Sequence, residues 1–116
     1  RRYVARLKSD NEFIGVFRID EIDRSNRNAL VGADVVSHQR RLGYATEMFG
    51  YFFSYLFDQY GMHRLALKTM ENNEAAITFY KKLGFVEEGR ERQAIFRNGS
   101  FVDLVNMGML ESEWRK

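Results

Sequence analysis

Between two stretches of strand-like alternation lies one segment, Tyr44 to Tyr60, whose apolar residues fall at 44, 45, 48, 49, 51, 52, 53, 55, 56 and 57. This spacing follows the helical period, and the apolar face it makes is wide. A helix so apolar cannot lie free in water, so it must be covered by another layer of structure. Gly61 suits its C-terminal cap. Before the helix, Ala29 to Val36 reads as a strand rich in β-branched residues. After it, Arg64 to Met70 alternates, with Leu65, Leu67 and Thr69 on one face. The helix therefore has a sheet to cover.

The flanking sequence supplies the rest of that sheet. Tyr3 to Lys8 alternates, Ser9 to Glu12 is a turn cluster, and Phe13 to Ile22 is a second apolar run. Together these predict a hairpin. Asp23 to Asn28 is a polar connection to the third strand, completing an antiparallel meander. Asn72-Asn73 offers an N-cap to a second helix over Glu74 to Leu83, which Gly84 ends. Phe85 to Phe96 and Phe101 to Leu110 read as strands around a hairpin turn, Arg97-Asn98-Gly99-Ser100. Glu111 to Lys116 is a polar tail apart from Trp114. The order is β-β-β-α-β-α-β-β. The fold class is α/β (α+β), with one mixed, mostly antiparallel sheet and a right-handed parallel crossover between strands three and four. There are no repeats, low-complexity segments or linkers.

Composition narrows the function. The chain has 116 residues, 45% of them hydrophobic, which suits a single domain with one core. A net charge of +2 lacks the basic excess of a typical nucleic-acid binder. With no cysteine, disulfides and zinc–thiolate sites are excluded, and a reducing, cytoplasmic setting is compatible. No apolar run approaches the roughly 20 residues that span a bilayer. No signal peptide is visible. The start at Arg1-Arg2 suits a fragment or a processed form.

Three sets of residues can carry chemistry. The loop Gln39-Arg40-Arg41-Leu42-Gly43-Tyr44-Ala45-Thr46 leads into the long helix. The free N–H groups at a helix start, the helix dipole and the arginines favour a phosphorylated ligand, and Gly43 allows close approach. An ordinary loop with solvated arginines fits equally well. In the second helix, Tyr80 lies about two turns beyond Asn73. It is either a proton donor or a core tyrosine. Asp34 shares a strand face with Leu30 and Gly32, and is either a general base, acting directly or through water, or a partner for an arginine or solvent. Asp103 admits the same pair of readings. His38 and His63 have no carboxylate or cysteine at ligand spacing, so no metal is expected.

Taken together, the two helix-start segments resemble the GNAT-type N-acetyltransferase superfamily. Arg40-Arg41-Leu42-Gly43-Tyr44-Ala45 fits its R/Q-x-x-G-x-G/A signature for acetyl-CoA. Asn73-x-x-Ala76-Ile77-x-x-Tyr80-x-x-Leu83-Gly84-Phe85 is similar to its second cofactor segment. Glu88-Gly89-Arg90, Asn98-Gly99 and Asp103 resemble the branch of ribosomal-protein N-terminal and spermidine acetyltransferases. The resemblance covers roughly residues 13 to 110. It implies an acyltransferase with acetyl-CoA as co-substrate, no metal, and a primary amine as acceptor: a protein N-terminus, a polyamine or another small amine. It also implies a splayed strand pair holding the pantetheine arm on the backbone of Val35 and Val36, with pyrophosphate on the amides of residues 41 to 46. Asn73, Ala76, Phe79 and Lys82 are implied on the second helix as cofactor contacts, with Tyr80 as general acid.

The sequence departs from the branch in three places. Leu30 stands where a glutamate base is frequent, which leaves Asp34 as the substitute. Arg41 stands where many relatives have glycine. The strand and helix pair that usually precede Tyr3 are missing, so residues 1–116 are expected to be a single, N-terminally truncated acetyltransferase-like domain, with its acceptor pocket open, completed by a second subunit in a homodimer, or absent. The competing expectations are a non-catalytic acyl-CoA-binding or regulatory module, and an interaction domain that dimerises through aromatic surface and an open sheet edge.

Overall fold

The computed structural model describes residues 2–6, 13–35 and 42–114, which fall in two compact units, Arg1–His63 and Arg64–Lys116. In the first, β1 (Arg2–Arg6), β2 (Phe13–Asp23) and β3 (Asn28–Val35) form the expected antiparallel meander. Phe17 and Ile19 are two residues apart and turn to one face, where both are buried. Ile22 lies three residues beyond Ile19, so strict alternation would turn it away. The ladder resolves this with a bulge: Ile19 pairs with Val31, then Glu21 with Leu30 and Ile22 with Ala29. Asp20 is the extra residue, and Ile22 returns to the face of the buried Ala29.

The long helical pattern is two structures. Helix α1 runs Leu42–Ser54, and Tyr55–Gln59 is a π-helical turn. The Tyr60 N–H donates to the Tyr55 carbonyl at 3.1 Å, a bond one residue wider than an α-helix makes. Leu56 and Phe57 are both buried in this turn. Gly61 follows at φ +70, and the His63 N–H donates to the Arg27 carbonyl at 2.7 Å, tying the end of the helix to the β2–β3 turn. The Phe17 ring meets Phe49 edge-on at 4.7 Å and Phe52 at 5.3 Å, and Phe49 in turn lies 5.4 Å from Phe53. The wide apolar face is thus matched by the Phe17 ring on β2.

In the second unit, β4 (Arg64–Met70), α2 (Glu74–Leu83), β5 (Val86–Arg97) and β6 (Ser100–Leu110) follow in order. β6 pairs antiparallel with both β4 and β5. Leu65 lies opposite Met109 and Leu67 opposite Met107, and all four are buried together with Val105. Burial of each side chain of this size contributes about 1.5–3 kcal/mol. Asn98 and Gly99 both have positive φ, 53 and 82, as a two-residue hairpin turn of right-handed twist requires. The expected polar tail is instead a short helical turn, α3 (Glu111–Trp114), in which Glu113 Oε1 accepts the Leu110 N–H at 2.8 Å.

The opposite face of this sheet carries a forked ion pair. Arg64 donates to Glu88 through both terminal nitrogens, at 2.7 and 2.5 Å. Gly108 lies beneath them, where a Cβ would come within 2.5 Å of Arg64 Nη1 and of Glu88 Oε1. The Arg64 hydrogen bonds hold the Glu88 carboxyl below its ordinary value of 4.5. A depressed carboxyl stabilises the fold above its unfolded pKa and loses that contribution as pH falls through the folded one. Wild type and Glu88→Gln should therefore differ in unfolding free energy at neutral pH and converge in acid below the carboxylate range. Both side chains are about a third exposed, at 31% and 37%, so solvent screens the pair and the difference stays under about 1 kcal/mol. Urea titrations at two pH values would measure it.

Candidate active site

The two segments singled out in the sequence lie at the starts of the two long helices. Helix α1 begins at Leu42, so the N–H groups of its first turn have no partner within the helix. Leu42, Gly43, Tyr44 and Ala45 add no acidic side chain there. Gly43 is exposed, and a Cβ built on it would meet nothing within 4 Å. Donor N–H groups, the positive helix end, a first turn with no acidic residue and open space above Gly43 all fit an anionic phosphate arm. Thr46, also exposed, lies three residues beyond Gly43. Asp34 and Val35 end β3, paired with Val16 and Gly15. Val36, Gln39, Arg40 and Arg41 lie outside the described residues, as does His38.

Helix α2 is capped at both ends. Asn73 is the N-cap, and its Oδ1 accepts the Ala76 N–H at 3.3 Å. Its carbonyl takes the Ile77 N–H at 3.1 Å. At the other end, the Gly84 N–H donates to the Lys81 carbonyl at 3.1 Å and the Phe85 N–H to the Tyr80 carbonyl at 3.0 Å. This is a Schellman cap, and Gly84 supplies its positive φ of 116. The motif brings its two flanking apolar residues together, and here they are Tyr80 and Phe85. Their rings meet edge-on at 5.9 Å. Tyr80 also touches Phe79 at 5.9 Å and is 8% exposed. The Leu83-Gly84-Phe85 ending thus fixes the orientation of the tyrosine three residues before Leu83.

Helical periodicity sets Asn73, Ala76 and Tyr80 on one face of α2, with Phe79 on its flank. Lys82 is exposed on nearly the opposite side of the helix from Tyr80. It can offer charge to a ligand that reaches round α2, but not to one confined to the tyrosine face.

Asp103 has a defined partner. Its Oδ1 accepts the Gln93 N–H at 2.8 Å, and Gln93 stands at φ +50. The partner that the structure shows for Asp103 is thus a backbone N–H, not an arginine. Glu71 does not stand out in the sequence. Its carboxylate accepts the Asp103 N–H, and the only hint of it is an acidic residue at a strand end just before Asn72-Asn73.

Over residues 1–85, a span that holds both helix-start segments, the sequence matches the Acetyltransferase (GNAT) family. The chain belongs to the GNAT family. Among curated GNAT relatives, the spermidine N(1)-acetyltransferase of Vibrio cholerae is 28% identical over 114 residues, covering 98% of this chain and 65% of the relative. YdaF of Bacillus subtilis, provisionally named a ribosomal N-acetyltransferase, is 28% identical over 110 residues, covering 95% of this chain and 60% of the relative. The chain therefore spans just under two thirds of the length of these GNAT proteins. The crystal structure of the spermidine/spermine N-acetyltransferase SpeG from Vibrio cholerae, in complex with manganese ions, superposes with a TM-score of 0.86 at 27% identity, covering 99% of this chain and 67% of that one. The mixed α/β, mostly antiparallel architecture is thus that of a GNAT protein.

Proposed function

We propose that this GNAT chain is an N-acetyltransferase that moves the acetyl group of acetyl-CoA to a primary amine by direct attack of the amine on the thioester. The observation that carries the proposal is the pair of helix starts: α1 with first-turn donors that have no partner within the helix and open space at Gly43, and α2 with Asn73, Ala76 and Tyr80 on one face. Both lie within the matched family span. Acetyl-CoA supplies an activated acyl thioester. The first-turn amides of α1, with Gln39, Arg40 and Arg41, would bind its pyrophosphate. The backbone of Val35 and Val36 would hold its pantetheine arm, and Asn73, Ala76, Phe79 and Lys82 would contact it along α2. Tyr80 would give a proton to the departing thiolate. The attacking amine must first lose one, and Asp34 would take it, directly or through water.

A small polyamine-type amine is the acceptor we favour, because spermidine acetyltransferases stand among the relatives of this chain. Residues 1–116 acting as one acetyltransferase-like domain, a homodimeric state and a cytoplasmic setting belong to the same proposal.

Titration calorimetry with acetyl-CoA tests the donor site. Gly43→Ala adds a methyl group that, beyond the adjoining residues and the surrounding helix backbone, meets nothing within 4 Å. Within a helix this exchange leaves stability equal or raises it, by up to about 1 kcal/mol. Affinity for acetyl-CoA should nevertheless fall roughly tenfold, the equivalent of about 1.4 kcal/mol, since the methyl group occupies the approach of the phosphate arm. Undiminished affinity would remove Gly43 from the site, and absence of any acetyl-CoA binding by the wild-type chain would remove the donor.

A further inference from the structure

Two carboxylates take the place of main-chain carbonyls on either side of Asp103. The β4–β6 ladder ends with Met70 opposite Leu104, so Glu71 and Asp103 come next. The Glu71 N–H still donates to the Asp103 carbonyl, at 3.0 Å. The return bond, from the Asp103 N–H, goes to the Glu71 side chain instead of to a main-chain carbonyl. The strand can therefore leave the sheet at Glu71 without orphaning a donor on β6. Two residues later Asn73 donates its N–H to the Met70 carbonyl at 3.0 Å and caps α2.

On the other side of β6, Glu91 pairs with Leu104 and Ile95 with Val102. Arg92, Gln93 and Ala94 thus face Asp103 alone, in a bulge. The Asp103 carboxylate takes the Gln93 N–H that this bulge would leave without a ladder partner. Hydrogen bonds thus run from the β5 bulge through Asp103 to Glu71, and the backbone carries the link two residues on to Asn73, which caps the first turn of α2. The ladder below Glu71 does not need these side chains; the exit of the chain into α2 does.

We propose that Asp103 and Glu71 are positioning residues, which set the N-cap of α2 for acetyl-CoA and couple it to the conformation of the β5–β6 hairpin. The link to acetyl-CoA rests on the function proposed above; the coupling itself does not. The test uses the full chain with Asp103→Ala, Asp103→Asn and Glu71→Ala. Without ligand, amide hydrogen exchange at Ala76 and Ile77, whose N–H groups bond to Asn73, should speed up in both alanine variants. It should stay near wild type in Asp103→Asn, whose side-chain carbonyl still accepts from Gln93. With acetyl-CoA, both alanine variants should bind roughly tenfold more weakly, the effect of about one lost hydrogen bond. Their kcat at saturating acetyl-CoA should hold while KM for acetyl-CoA rises. Unchanged exchange at Ala76 and Ile77 in the alanine variants would overturn the coupling, whatever the ligand does. Faster exchange with undiminished acetyl-CoA affinity would overturn the positioning role. A wild-type chain that binds no acetyl-CoA would remove the function reading, and with it the link to the cofactor, while the exchange comparison still decides the coupling.

Discussion

Tyr80→Phe should leave the fold standing and lower the rate of acetyl transfer about 10²–10⁴-fold, the range associated with loss of a general acid. The exchange keeps the ring and its packing. Tyr80 packs edge-on against Phe85 across the Schellman cap and lies beside Phe79. A shape-conserving change of this kind costs less than about 1.5 kcal/mol. Tyr80→Ala would remove the packing too, and should cost about 3–5 kcal/mol. The two variants therefore separate the core reading of this tyrosine from the chemical one. Thermal unfolding and thiol-release rates should both be measured on each. A Phe variant that turns over like wild type would leave Tyr80 as packing alone.

The second large effect is on stability. Phe53→Ala should destabilise the chain by about 3–5 kcal/mol, the usual range for emptying a fully buried aromatic site. Phe53 is 0% exposed and packs at a tilt against Phe49 at 5.4 Å and Phe52 at 6.3 Å. These rings are themselves large and held against Phe17, so the cavity has little freedom to collapse. Tyr51, on the same helix but 66% exposed, should change stability by no more than about 0.5 kcal/mol when replaced by Ala. Urea denaturation of the two variants beside wild type gives both numbers. A small loss at Phe53 would mean that the aromatic face of α1 does not anchor the unit.

The element order could be read from the sequence because each segment keeps one period. β4 alternates without interruption and α2 has a cap residue at each end, so Arg64–Met70 and Glu74–Leu83 match their expected bounds. Where a period breaks, the sequence is ambiguous. The apolar pattern of Tyr44 to Tyr60 is continuous, and nothing in it marks the change to a π-helical turn at Tyr55. The Phe17, Ile19, Ile22 spacing does hold the β2 bulge, but only when the partner strand is known. The partners of Glu71 and Asp103 are not legible. Their hydrogen bonds join Glu71 to Asp103, 32 positions away, and Asp103 to Gln93, 10 positions away, through backbone N–H groups that no sequence pattern marks. Of the candidate site, the motif residues on α2 are recognisable because capping chemistry is local. The acceptor side is not recognisable, because selecting an amine depends on how distant carboxylates and apolar surfaces are arranged.

The measurement that bears most directly on the central proposal is release of free CoA thiol when the chain is mixed with acetyl-CoA and a panel of primary amines, with the acetylated product identified by mass. The proposal predicts thiol release that requires both the chain and an amine, strongest with a polyamine such as spermidine, and largely lost in Tyr80→Phe. Tight binding of acetyl-CoA with no acetylated product from any polyamine, small amine or peptide N-terminus would contradict it.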